Sequence, residues 1–395
     1  MTDYLANIRE KPRHTKEKKV GEILLSKEFK NVIFGTAHMS LGVPRAHESA
    51  THFIMNEVTQ CPFTTMVHII CQMPLIKSVL LTGDVRQLGT HLNELPTVIQ
   101  NGFGLESVTD QLEKCSRISV TTLEKCYRSH PVLTTCFDYS SYAKHGERVV
   151  PAISAENRSS LTKMGINLPI KEIPIIMLNI RGTVETDTTS YSLASPEQTE
   201  ATIAIVKTLI QYEPTGVAVI TLYTFQAECI RNRLMEENIL IQVNTVDAFQ
   251  AREQNIVILV TTRSKTPGSA ARADTSQFIK DSRRATVALS RAKSGLILIA
   301  DFEILAEGGV WRRFVEKAQQ HVPIVNVNYI QLMNIKSPNR GSNGLLLDEG
   351  RSIEEKGMKE TTSSKETKEE IRKRKQLSCH TCGKFGHFTR DCRRK

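Results

Sequence analysis

The chain reads as an α/β protein built on a mostly parallel sheet flanked by helices. Two observations carry this. Short apolar runs alternate with longer amphipathic stretches across residues 29–332, and some of those stretches show helical spacing. The content of 40% apolar residues in 395 is enough to bury sizeable cores. The expected strands are Asn31–Phe34, Phe53–Met55, Ser78–Thr82, Ile175–Leu178, Val217–Thr221, Ile256–Val260 and Leu296–Ala300. Between them, Pro196–Tyr212 places Ile203, Val206, Leu209 and Ile210 on one stripe, and Phe225–Met235 repeats the spacing through Ile230 and Leu234.

Charge is concentrated at the two ends. Residues 371–395 hold nine Lys and Arg against Asp391 alone, and residues 1–20 hold six against three acids, so the intervening residues of a chain at net +10 are near neutral. Basic ends on a neutral body favour a polyanionic partner, nucleic acid first. Six of the nine cysteines are scattered without pairing signatures and are expected to be buried free thiols. No apolar stretch has signal-peptide or bilayer-spanning length, so an intracellular protein of cytoplasm or nucleus, with no membrane partner, is expected.

After Tyr329 the apolar pattern fades, and residues 336–376 read as a charged tether ending in the basic cluster Arg372-Lys373-Arg374-Lys375. Cys379-x2-Cys382-x4-His387-x4-Cys392 then offers three thiolates and one imidazole. Four such ligands close a zinc tetrahedron and leave no open position, so the metal would be structural. So short a peptide folds only on its ion. The spacing resembles the retroviral-type CCHC zinc knuckle, which implies stacking of unpaired bases. Phe388 and His380 would offer rings, while Lys384 and Arg390 would hold phosphates. His380 departs from the aromatic usual in that family.

Four further blocks stand in order: Gly83-Asp84-Val85-Arg86-Gln87-Leu88, Cys126-Tyr127-Arg128-Ser129-His130-Pro131, Val246-Asp247-Ala248-Phe249-Gln250-Ala251-Arg252-Glu253 and Val287-Ala288-Leu289-Ser290-Arg291-Ala292-Lys293. Together they resemble the C-terminal half of a superfamily 1 helicase of the up-frameshift type. That resemblance implies two RecA-like sheets, one partial and one complete, with ATP and magnesium as cofactors. Phosphoryl transfer depends mostly on positioning and charge stabilisation. By resemblance, Glu57 in Asn56-Glu57-Val58-Thr59-Gln60 would orient water, Gln87 would sense the γ-phosphate, and Arg128 and Arg291 would be the arginine fingers. Asn56, Asp84, Tyr223, Gln250 and Glu253 would line the nucleotide, with Tyr223 reaching nucleotide or strand. Pro131 would mark a turn, since proline cannot continue a helix.

Several positions depart from the family. Asn56 stands where the magnesium aspartate is usual, a poorer partner for a hard dication. Leu222 replaces a proline, and Ala251 replaces a glycine. No Gly-x-x-x-x-Gly-Lys-[Ser/Thr] loop is present, and the one Gly-Lys pair is Gly383-Lys384 in the knuckle. Without that loop the triphosphate loses its main cradle.

The expected organisation is therefore a basic segment 1–28, a partial first helicase domain 29–118, a second domain 119–332, a linker 333–376 and the knuckle 377–395. The expected function is that of a helicase-like nucleic-acid-binding protein, with single-stranded RNA favoured over DNA. Three readings stay open: an incomplete product of an active helicase, a non-catalytic adaptor descended from one, and a chain whose partial first domain is covered by a partner protein.

Overall fold

The computed structural model describes residues 32–41, 48–90, 92, 95–112, 115, 117–265, 276–349 and 351–355. Two units divide the chain, Met1–Ile353 and Glu354–Lys395. The knuckle residues Cys379, His380, Cys382, Lys384, His387, Phe388, Arg390 and Cys392 lie outside the described residues.

The first unit opens with two parallel strands, β1 (His52–Met55) and β2 (Ser78–Leu81), in register from His52↔Ser78 to Met55↔Leu81. One face packs under helix α1 (Phe63–Cys71) into a small core of Met55, Val58, Met66, Ile69 and Val108. On the other face the register partners Ile54 and Leu80 remain 67% and 56% exposed. The strand expected at Asn31–Phe34 is not formed: residues 32–34 carry no strand, and Phe34 is exposed. An isolated apolar run has no ladder to satisfy its backbone, so composition alone does not make it a strand.

The main body is a six-stranded, wholly parallel sheet. Its strands are β3 (Ile175–Asn179), β4 (Val217–Thr221), β5 (Gln242–Thr245), β6 (Gln254–Val260), β7 (Ala292–Ala300) and β8 (Ile324–Val325), in the order β8-β3-β7-β6-β4-β5. Every residue of β3 and β4 is buried, as expected of a parallel sheet covered on both faces. Ile176, Leu178, Val219, Ile258, Ile297 and Ile299 share one core. Each such side chain stabilises by roughly 1.5–3 kcal/mol relative to an exposed one.

Five helices matter for the site: α2 (Pro131–Phe137), α3 (Pro196–Ile210), α4 (Thr224–Glu236), α5 (Ser282–Leu289) and α6 (Gly309–Ala318). Helices α3 and α4 fall where the 3.6-residue spacing placed them. Pro131 does not merely mark a turn; it opens α2 at a position where its missing N–H costs nothing, and His130 Nδ1 caps Val132 N at 3.2 Å. Asp281 caps α5 by accepting from Arg283 N at 2.9 Å and Arg284 N at 3.2 Å.

Residues 333–353, expected to begin the charged linker, belong to this body. Asn339–Arg340, Leu346–Asp348 and Arg351–Ser352 form an antiparallel meander, and Leu345, Leu346 and Ile353 are buried in the main core. Three apolar side chains among polar ones were too sparse to register as periodicity. The meander is fastened by Arg340, which donates to the carbonyls of Leu168 and Gly344 at 3.0 and 2.8 Å.

Cys61, Cys71, Cys115, Cys126, Cys136 and Cys229 are free thiols, though only Cys61 and Cys136 are buried; Cys71 and Cys115 are exposed. Among the described residues no helix is long and apolar enough to cross a membrane.

Candidate nucleotide and nucleic-acid site

The loop after β2 is shaped first by Gly83. A Cβ there would stand 3.0 Å from Val58 Cγ1 and 3.2 Å from Val58 N, so the loop lies flush against the segment after β1. Asp84 Oδ1 accepts from Arg86 N at 2.9 Å, closing a local turn. Its other oxygen accepts from Gln87 Nε2 at 2.7 Å and from the Tyr142 hydroxyl at 2.5 Å. Gln87 is thereby held with its carbonyl oxygen outward, where it accepts from Arg291 Nη2 at 3.0 Å.

Arg291 is the chemical centre of this arrangement. It leaves α5 at the entry to β7 and is only 2% exposed. Its remaining hydrogen bonds go to Val287 O at 3.1 Å, Arg252 O at 3.4 Å and Ser290 Oγ at 2.8 Å, none of them a carboxylate. Burial, followed by the charge of Arg128, pulls its pKa down to about 10. A guanidinium so placed carries a positive potential into a dry site.

Arg128 stands beside it. Ser129 Oγ donates to Ala292 O at 2.7 Å and His130 N donates to Lys293 O at 2.8 Å, which fixes this segment along the entry to β7. Arg128 Nη1 donates to Ser290 O at 3.3 Å, and Nε meets Glu253 at 2.6 Å. Glu253 also faces Lys293 Nζ at 3.3 Å. Burial pushes the Glu253 carboxyl up, but hydrogen bonds and charge from Arg128 and Lys293 outweigh it and hold the group below the usual range.

From the first domain, Glu57 sits in a left-handed backbone conformation (φ 54°) at the turn after β1, and its charge acts on Arg291. Asn56 Oδ1 accepts from the Thr82 hydroxyl at 2.6 Å, tying the ends of β1 and β2 together. The structure thus gathers Glu57, Asp84, Gln87, Arg128, Glu253 and Arg291 around one point. These residues do not fit a magnesium ion on this chain alone: Asn56 is a neutral amide already engaged, Asp84 and Glu253 are taken by donors, and the described residues contain no group of three or more His, Cys, Asp or Glu able to hold a metal. The Cys3His donor set of the C-terminal unit does have the chemistry of a zinc site.

The loop before β6 adds two features. Gln250 Nε2 is buried without a partner, a donor left for something the protein does not itself supply. Ala251 follows with φ 58°, where a Cβ costs about 1 kcal/mol. Ala251→Gly is expected to raise stability, by about 0.5 kcal/mol net once the looser unfolded chain is counted. A urea midpoint that falls on this substitution would contradict the strain argument.

Tyr223 is not gathered with the others. It lies at the C-terminal end of β4, where its hydroxyl accepts from Arg263 Nε at 2.9 Å and its ring meets Phe278 at 5.1 Å. Arg263 is buried and its Nη2 has no partner; Thr262 before it holds φ 71° with an unpartnered buried hydroxyl. Such strain in a β-branched residue at a strand's carboxyl end is typical of functional sites. Nearby, Arg284 meets Asp247 through Nε and Nη2 at 3.1 Å, reaches Asp281 at 3.0 Å, and stacks on Phe278 at 3.9 Å. Arg263, Arg284 and Tyr142 were missed by sequence reasoning. Arg263 carried one signal, a charged residue three positions past the end of an apolar strand; Tyr142 carried none.

Residues 105–303, just over half of the chain, match the family model described as AAA domain (AAA_12). The chain is 30% identical over 258 residues to an uncharacterized ATP-dependent helicase of Methanocaldococcus jannaschii, covering 63% of this chain and 36% of that protein. It is 27% identical over 276 residues to regulator of nonsense transcripts 1 of Dictyostelium discoideum, covering 67% and 19%. A solved complex of the arterivirus helicase nonstructural protein 10 with DNA aligns over 76% of this chain and 55% of that one, with 14% identity and a TM-score of 0.33. The chain therefore spans 36% or less of the length of these two curated relatives. With its parallel sheet and its ordered arginines, the chain belongs to the AAA-domain family and carries a superfamily 1 helicase portion.

Proposed function

We propose that this chain supplies the γ-phosphate-sensing and strand-gripping part of an ATP-dependent superfamily 1 helicase, acting on single-stranded RNA in preference to DNA. The observation that carries this reading is Arg291, buried, without a carboxylate partner, and aimed at Gln87. A triphosphate at this point would accept from Arg291 and would draw Arg128 away from Glu253, so that two guanidiniums neutralise the developing charge. Gln87 would report the occupied state to the loop after β2. Glu57 would orient the attacking water. Strand phosphates would be held by the unpaired Arg263 Nη2 at the carboxyl edge of the sheet, and by Lys384 and Arg390 of a zinc knuckle with His380 and Phe388 as stacking rings.

A partner protein covering the partial first domain would supply the phosphate cradle, and the exposed pair Ile54 and Leu80 supports this form of the reading. Asn56 and the strained Ala251 favour a second form, a strand-binding adaptor with little turnover. Nucleic-acid-stimulated ATP hydrolysis separates the two. In the active form Arg291→Gln is expected to lower turnover by about 10³-fold or more while strand affinity stays within twofold or so. Equal turnover in the variant would refute the role given to Arg291; no turnover in the unmodified chain, with tight strand binding, would establish the adaptor.

A further inference from the structure

Beside the Asp84 loop lies a polar cavity of about 100 Å³. Its walls come from three places: Arg86 on the loop after β2, Lys144 and His145 beyond the π-helical turn Asp138–Tyr142, and Arg283 at the start of α5. We propose that this cavity binds a phosphate group and, in doing so, ties the loop after β2 to helix α5.

Three features argue for an oxyanion. The cavity is lined by Arg86, Arg283, Lys144 and a histidine, with hydroxyls from Ser141 and Ser282 as further donors. The acids beside it are committed: Glu147 is held by both Nε and Nη2 of Arg86 at 3.0 and 2.6 Å, and Asp110 by Arg283 at 3.2 Å. After burial, the charges that weigh most on Lys144 are those of Arg313 and Arg86, and all three depress its pKa. Arg313, whose Nη2 is buried without a partner, adds positive charge behind the wall. Lys144 has no ion pair among the described residues, so the wall keeps at least one cation that no carboxylate holds. A tetrahedral oxyanion with several acceptor oxygens matches such a set of donors.

The placement also gives the ligand something to do. Arg86 neighbours Gln87, and α5 runs from Arg283 to the residues just before Arg291. The loop after β2 and α5, joined just beyond its end by the Gln87–Arg291 contact, therefore supply two of the three walls of this cavity. A bound phosphate would span them a second time.

The phosphate has two sources, a free phosphorylated ligand or the backbone of a nucleic-acid strand. The test titrates inorganic phosphate into the full chain, followed by ³¹P NMR line width, and titrates a fluorescent single-stranded oligonucleotide in parallel. Saturable phosphate binding is expected, weakened about tenfold or more in Lys144→Gln/Arg283→Gln and retained in Arg291→Gln, since each tenfold in affinity is one lost charge-assisted contact's worth. Oligonucleotide affinity unchanged in the double variant identifies a free ligand. A salt slope reduced by about one identifies a strand phosphate. Lys144→Gln alone, at an exposed position, guards against misfolding and should show a smaller loss in the same direction. Absence of saturable phosphate binding, or binding equal in the double variant, overturns the proposal.

Discussion

Arg284→Ala is expected to destabilise the first unit by about 2–3 kcal/mol, the cost of losing charge-assisted hydrogen bonds from a buried guanidinium to two partly exposed carboxylates. Arg284 is almost wholly buried and answers two carboxylates, Asp247 and Asp281, while its face lies on Phe278. Truncation would take from Asp247 and Asp281, 23% and 34% exposed, the cation they share. Arg284→Lys is not expected to rescue, because an ammonium has neither the fork that meets Asp247 twice nor the flat face that stacks. The damage should spread. Asp247 begins the loop that carries Gln250, Ala251 and Glu253, and Asp281 caps α5 ahead of Arg291. Chemical denaturation checks the stability, and a loss under about 1 kcal/mol would mean that the Arg284 pairs contribute no more than surface ones.

Zinc removal is expected to have the largest effect at the other end of the chain. For a peptide of knuckle size, metal binding supplies the folding free energy, roughly 10–16 kcal/mol in comparable zinc-binding peptides. Chelation or Cys382→Ser should therefore abolish one equivalent of bound zinc per chain. Single-stranded RNA affinity should then fall about tenfold or more, with a shallower salt dependence as phosphate contacts are lost. The first unit should keep its thermal transition, since Cys379, Cys382, His387 and Cys392 belong to the separate unit Glu354–Lys395. RNA affinity indifferent to chelation and to truncation at residue 370 would remove the knuckle from the account of strand binding.

How far the fold could be read from the chain depended on the kind of signal. The central strands Ile175–Asn179, Val217–Thr221, Gln254–Val260 and Ala292–Ala300 are continuous apolar runs because both sheet faces are covered, and such runs announce themselves. The two edge strands did not. Gln242–Thr245 buries only Val243, and Ile324–Val325 is two residues long, so neither differs from a loop in composition. Asn31–Phe34 shows the converse failure: residues 32–34 form no strand despite their apolar run.

At the candidate site, motif order alone groups Gln87, Arg128, Glu253 and Arg291. It could not disclose what each residue touches. That Arg128 is parked on Glu253 while Arg291 lacks any acid depends on how the entry of β7 is zipped to residues 128–130. The separation of Tyr223 from this group, and its bond to Arg263, likewise arises from which end of a strand each block occupies.

The amide of Gln87 has a polarity, and that polarity limits what the loop after β2 can do. Its oxygen receives from Arg291 and its nitrogen gives to Asp84, so the three side chains form a one-way series of donors and acceptors. Turning the amide over would set donor against donor at one end and acceptor against acceptor at the other. The Gln87–Asp84 bond lies within one loop and survives when Arg291 withdraws, so the acceptor stays aimed and the junction has the character of a keyed latch rather than a spring.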